Sequence, residues 1–154
     1  MYLAQLHILL ADDDTDDCLF FKEAIAALIP PENFTAVHDG EQLMQLLTGK
    51  NNKMPDVLFL DLNMPRKNGF ECLAEIKNNR QLNSLPVVIF STSFEQEMVD
   101  LLYSGGAQYF IRKPSAFEQF KNIILYTLTL ILQKNKAQPA RENFVLTVEN
   151  SLII

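Results

Sequence analysis

Four short β-rich apolar runs, each followed by residues with polar chemistry, organise this chain. His7-Ile8-Leu9-Leu10-Ala11 leads to Asp12 and Asp13, Val57-Leu58-Phe59-Leu60 to Asp61, Val87-Val88-Ile89-Phe90 to Ser91, and Tyr109-Phe110-Ile111-Arg112 to Lys113. Phe34 to Val37 reads as a further strand. Between the runs the apolar period changes from two to that of a helix. Asp14 or Thr15 caps a helix running to about Leu28, which Pro30-Pro31 stop. Asp39-Gly40 opens a short helix through Leu43, Met44, Leu46 and Leu47, and Gly49 to Pro55 form a polar loop. Residues 70–78 carry Phe70, Leu73 and Ile76 at helical spacing, and residues 96–104 carry Met98, Val99, Leu101 and Leu102. A long last helix starts at Ala116, repeats its apolar face through Phe117, Phe120, Ile123, Ile124, Leu128 and Ile131, and ends near Gln133.

Strict alternation of strand and helix predicts right-handed crossovers and a parallel sheet covered on both faces. The expected architecture is α/β: a flavodoxin-like, doubly wound, five-stranded parallel sheet in the order 2-1-3-4-5, with five helices. In such a sheet the ends of the strands form a crevice, and all the polar endings meet there.

The 154 residues are 48% hydrophobic, enough for one domain with a core and too few for a second full one. Residues 1–133 are expected to form that domain. Residues 134–154 read as a polar linker followed by an apolar tail, with no output domain. Within the tail, Phe144-Val145-Leu146-Thr147-Val148 and Leu152-Ile153-Ile154 are too apolar for solvent. A docked strand, or an arm exchanged within a homodimer through the last helix and tail, is expected over a disordered end.

Thirteen basic against nineteen acidic residues give a net charge of -6, which opposes the phosphate contacts of nucleic-acid binding. No nucleic-acid partner is expected. Cys18 and Cys72 match no metal or disulfide spacing and read as buried thiols, in keeping with a reducing cytoplasm. The amino terminus carries no export pattern. The most apolar stretch, residues 123–132, is about half of the roughly 20 residues that a membrane span needs. His7 and His38 lie too far apart in the expected sheet to share a site, and neither is assigned a role.

The chemistry follows from the strand order. Neighbouring parallel strands lie about 4.8 Å apart, so Asp13 and Asp61 end side by side, with Asp12 adding charge. Two oxygens on one edge of an octahedral Mg²⁺ are about 3 Å apart, so these carboxylates can share one ion. Without a cation, three such carboxylates repel and at least one pKa is driven up. Ser91 offers a hydroxyl beside Asp61, and Lys113 can bring its ammonium across the next strand end. A carboxylate flanked by a divalent cation, a hydroxyl and an ammonium is arranged to accept a phosphoryl group. Asp61 is therefore the candidate acceptor. Asp16 and Asp17 read only as first-turn helix residues.

Taken in order, Ile8 to Asp14, then Leu60-Asp61-Leu62-Asn63-Met64-Pro65 with Gly69, then Leu85 to Ser91, and finally Lys113-Pro114 resemble a response-regulator receiver domain, similar to single-domain chemotaxis receivers. The resemblance spans residues from about 6 to 132. It implies phosphorylation of Asp61 by a sensor histidine kinase or a histidine phosphotransfer protein, and an unidentified downstream protein that reads the fourth helix, fifth strand and fifth helix. It further implies Mg²⁺ on Asp12, Asp13, Asp61 and the Asn63 backbone carbonyl, with Ser91 and Lys113 contacting the phosphoryl group. Ser91 and Phe110 become the switch pair, although Phe110 also reads as ordinary core, and it replaces the tyrosine of many relatives. The Lys113–Pro114 peptide is expected to be cis. Thr92 is larger than the alanine or glycine often found there. No enzymatic activity beyond self-phosphorylation and self-dephosphorylation is expected.

Two alternatives stand beside this reading. A haloacid-dehalogenase-like phosphatase also uses an aspartate nucleophile with Mg²⁺, but its general acid would fall at Asn63. A phosphorylation-independent interaction module would leave Asp13, Asp61 and Lys113 without a purpose.

Overall fold

The computed structural model describes residues 2–50, 53–133 and 137–151. Strands β1 (Ile8–Ala11), β2 (Phe34–Val37), β3 (Val57–Leu60), β4 (Val87–Ser91) and β5 (Tyr109–Arg112) alternate with helices α1 (Thr15–Ile25), α2 (Gly40–Thr48), α3 (Gly69–Lys77), α4 (Gln96–Ser104) and α5 (Phe117–Gln133). All strand pairs are parallel. β1, β3 and β4 are buried at every position, which is why they read as continuous apolar runs rather than alternating ones. Helices α1 and α5 pack on one face around Phe21, Phe59, Phe90 and Phe120, while α2, α3 and α4 cover the other around Leu43, Leu73, Val99 and Phe110.

Local capping sets where the helices begin. Asp14 accepts from the N–H groups of Asp16 and Asp17, Asp39 caps α2, and Asn68 with Glu71 forms a capping box on α3. The first helix ends earlier than its apolar pattern predicts. It closes at Ile25, because the chain tightens so that Leu28 N–H reaches Ile25 O, and Pro30 and Pro31 then prevent continuation.

The sequence predicts five strands, and the sheet has six, in the order β2-β1-β3-β4-β5-β6. The additional strand, β6 (Val145–Leu146), comes from the tail and pairs with the free edge of β5. An apolar segment beside an open sheet edge gains both burial and backbone hydrogen bonds by adding to it. Phe110 N–H donates to Phe144 O at 3.0 Å, and the Phe144 side chain is wholly buried against Tyr103 of α4, 5.1 Å between ring centres, and Phe110. Within the polar segment, residues 137–139 are docked rather than free: Gln138 donates to Tyr103 O and Ala107 O, and Tyr103 Oη donates to Pro139 O. Arg141 pairs with Asp100 at 2.8 Å. One helical turn, Val148–Ser151, then lies against α5. Residues 134–136 and the terminal Leu152-Ile153-Ile154 lie outside the described residues.

Removing the Phe144 ring is expected to lower unfolding stability by roughly 3–5 kcal/mol, the range for truncating a buried aromatic. Urea unfolding of Phe144→Ala measures it, and limited proteolysis is expected to cut near residue 140 far sooner in the variant than in the wild type.

Candidate acidic site at the strand ends

Register brings the site together. Ala11 pairs with Leu60, so Asp12 and Asp61 leave β1 and β3 opposite each other. Asp61 N–H donates to Ala11 O at 2.9 Å, and Asp12 N–H donates to Val37 O at 3.0 Å, which anchors both backbones at the ends of the sheet. Asp13 follows on the exposed rim. Carboxylate oxygens of Asp12, Asp13 and Asp61 all lie within 4.8 Å of one another. Asp12 is fully buried and Asp61 is 6% exposed.

Lys113 enters from β5, its N–H held by Ser91 O at 2.9 Å. Its ammonium lies 2.7 Å from Asp12 Oδ2, 2.9 Å from Asp17 Oδ2 and 3.8 Å from Asp61 Oδ2, and sits over the Phe90 ring. Burial pushes the Asp61 carboxyl up to about 7, against the pull of the Lys113 charge; the neighbouring Asp12 raises it further, and the Asn63 backbone N–H lowers it. Burial also raises Asp12, with Lys113 as the chief opposing influence. Lys113 itself is held above its ordinary value, the carboxylates around it outweighing its burial. Three acidic side chains thus share one ammonium.

Ser91 is buried at the end of β4, and its Oγ accepts from Ser93 N–H at 3.2 Å. Thr92 lies exposed at the mouth. Phe110 is buried on the α4 face, between Phe94 of the β4–α4 loop, 5.8 Å between ring centres, and Phe144 of the tail. Asn63 joins the site through its backbone. The expected cis Lys113–Pro114 peptide is not found; no cis bond occurs among the described residues.

Sequence reasoning missed Asp17. At the third position of α1 it has the ordinary look of a first-turn helix acid, and only the fold reveals that this turn faces the end of β5. Its carboxylate accepts from the Lys113 ammonium at 2.9 Å. The two histidines lie apart: His7 Nε2 meets Lys53, and His38 Nδ1 lies 3.1 Å from Asp12 O, beside the Cys18 thiol. Both cysteines are buried and free, and burial pushes Cys18 up to about 12 and Cys72 to about 11, so neither is a nucleophile near neutral pH.

Gly69 controls the loop after Asp61. Its N–H bonds Leu62 O at 2.9 Å, and a Cβ there would strike Asp61 O and lie 2.8 Å from Leu62 Cα. Because those are backbone atoms, Gly69→Ala must displace the end of β3. The expected cost is about 1–3 kcal/mol, measured by urea unfolding, with impaired chemistry at Asp61.

A parallel α/β sheet thus carries an acidic crevice, a buried lysine side chain and a buried hydroxyl at its strand ends. The model of the response regulator receiver domain matches residues 8–125, and the chain belongs to that family. It is 32% identical over 110 residues to the response regulator Rcp1 of Synechocystis sp., covering 69% of this chain and 75% of that protein. It is 28% identical over 120 residues to the probable methanogenesis regulatory protein FilR2 of Methanothrix harundinacea, covering 76% and 77%. Among solved structures, the phosphorylated cyanobacterial phytochrome response regulator RcpA superposes with a TM-score of 0.77 at 32% identity, covering 84% of this chain and 95% of that one. The Mn²⁺-bound form of Rcp1 superposes with a TM-score of 0.75 at 27% identity, covering 86% and 98%. No helix among the described residues is long and apolar enough to cross a membrane.

Proposed function

We propose that this receiver accepts a phosphoryl group on Asp61 in the presence of Mg²⁺ and signals by altering the protein-binding surface around α4, β5 and α5. The observation that carries the reading is the convergence of Asp12, Asp13 and Asp61 around one point, with the Lys113 ammonium beside it. A donor set of three carboxylates, two of them buried and raised in pKa, fits a hard divalent cation. Asp12, Asp13, Asp61 and the Asn63 carbonyl would hold it, and when bound it supplies charge neutralisation for the incoming phosphate. The phosphorylated and Mn²⁺-bound relatives support the same reading by analogy.

The ionised Asp61 oxygen attacks phosphorus, and the bond from phosphorus to the histidine nitrogen of a kinase or phosphotransfer protein breaks, its electron pair leaving with the imidazole. Lys113 balances charge on the transferred group, and Ser91 Oγ turns from Ser93 N–H to donate to a phosphoryl oxygen. That turn pulls on the β4–α4 loop that carries Phe94, which touches Phe110. With no phenolic oxygen on Phe110, the change passes through packing alone. Residues 1–133 carry this chemistry, and the segment after them covers the β5 edge of the reading surface, so a protein partner meets the tail there. Exchange of that tail between two copies would form the homodimer; light scattering giving one subunit's mass with and without phosphorylation rejects it.

Phosphate-affinity electrophoresis after incubation with acetyl phosphate tests the main reading. A shifted band is expected with Mg²⁺, absent with chelator and absent in Asp61→Asn. No shift with acetyl phosphate or with a phosphorylated histidine donor would leave the phosphorylation-independent module as the better account.

A further inference from the structure

The grip on Lys113 is unequal to what phosphoryl transfer needs from it. An ammonium has three donors, and here two are taken by Asp12 at 2.7 Å and Asp17 at 2.9 Å, while Asp61 at 3.8 Å lies beyond hydrogen-bond length. Asp12 ends the strand beside Asp61, so an ammonium bonded to Asp12 alone can swing between the two. Asp17 is placed differently. It stands on α1, its backbone N–H fixed by Asp14 Oδ1 at 3.1 Å, and its carboxylate does not join the group of Asp12, Asp13 and Asp61 whose oxygens lie within 4.8 Å of one another. It is therefore outside the cation-binding set and is a separate anchor for the lysine. The pair is well shielded, with Lys113 5% and Asp17 21% exposed at the side chain, and the Phe90 ring 5.2 Å from the ammonium closes another side. Charge-assisted bonds in such surroundings are the strong ones.

We propose that Asp17 is a positioning residue for phosphoryl transfer: it holds the Lys113 ammonium on the α1 side of the crevice, and the Asp17–Lys113 bond must break before the lysine can engage a phosphoryl group on Asp61, which slows its acceptance. The inference rests on Asp61 being the phosphoacceptor. Here acceptance carries an added cost that this one helix residue sets.

The test is the rate of Asp61 phosphorylation by acetyl phosphate in millimolar Mg²⁺, read by phosphate-affinity electrophoresis on the full chain, with urea unfolding in parallel. Asp17→Asn keeps the shape and removes the charge, and is expected to raise the rate about threefold to tenfold. Asp17→Glu is expected to return the rate toward that of the wild type. A Lys113→Gln background separates action through the lysine from simple repulsion of an anionic donor: adding Asp17→Asn there is expected to change the rate less than twofold. Equal acceleration in both backgrounds, or an unchanged rate for Asp17→Asn with a lowered unfolding midpoint, overturns the proposal and leaves Asp17 a charge or a structural ion pair only. Where Lys113→Gln is too slow to measure, an Asp17→Glu rate matching Asp17→Asn overturns it and a rate matching wild type supports it. A wild type that takes no phosphoryl group at all rejects the acceptor reading, and this inference with it; a labelled wild type with an unmoved Asp17→Asn rejects this inference alone.

Discussion

Asp61→Asn is expected to be more stable than the wild type near pH 8 without divalent cations, by roughly 2–4 kcal/mol, and to match it near pH 4. The sign follows from burial. Asp61 titrates at about 7 in the fold against 3.8 for an ordinary aspartate, so the folded state holds a proton that the unfolded chain has lost. A raised pKa of this kind gives stability that is fully present below about 4 and is lost as pH rises through about 7. Asparagine has the shape of the protonated acid and no such loss. Wild-type stability should therefore decline between those limits and the variant's should decline less, the residual slope coming from the raised Asp12. Saturating Mg²⁺ is expected to recover most of the wild-type deficit, since at a hundredfold excess over its Kd a ligand specific for the native state contributes about 2.7 kcal/mol. It should do little for Asp61→Asn. Urea unfolding at several pH values, with and without Mg²⁺, measures all four corners; a wild type as stable at pH 8 as at pH 5 in chelator would contradict the account.

Lys113→Met is expected to show the opposite effect. Removing the ammonium leaves Asp12 buried beside Asp17 and Asp61 with no cation, and breaking one partner of a buried pair costs about 3–5 kcal/mol. Lys113 is raised above its ordinary 10.5, so its own contribution is complete below that value and does not vary across neutral pH. The pH dependence of the loss comes from Asp12, which can take up a proton when the lysine is gone. The deficit should therefore be larger near pH 8 than near pH 5, and Mg²⁺ should stabilise the variant by more than it does the wild type, because no ammonium competes for the carboxylates. Equal Mg²⁺ effects on the two proteins would show that Lys113 does not oppose the cation.

Much of this was legible in the chain itself. β1, β3 and β4 are continuous apolar runs because both faces of a central parallel strand are covered, and that makes their ends visible as abrupt polar residues. Helix starts were legible at Asp14 and Asp39, where a capping side chain marks them, whereas the Asn68 cap that opens α3 was not read from the chain. The end of α1 was not legible either, since apolar spacing continues through Leu28 while the chain already tightens into a turn in which Leu28 N–H reaches Ile25 O.

The run of strand ends, the strict alternation and the order of Asp12, Asp13, Asp61, Ser91 and Lys113 are properties of local pattern, so the sequence by itself determined the class of fold and the chemical composition of the crevice. Two features were decided only by tertiary structure. The tail's apolar residues state that they must be covered, but which surface covers them depends on the open edge of β5 and the space beside Tyr103 and Phe110, neither of which is local to residues 144–146. Asp17 is the sharper case. Nothing near it in the chain separates a helix-dipole acid from a lysine anchor, because the difference is the position of an ammonium 96 residues away. Periodicity and capping report what a residue does for its own element; which charge faces it across the sheet is settled only when the strands are laid side by side.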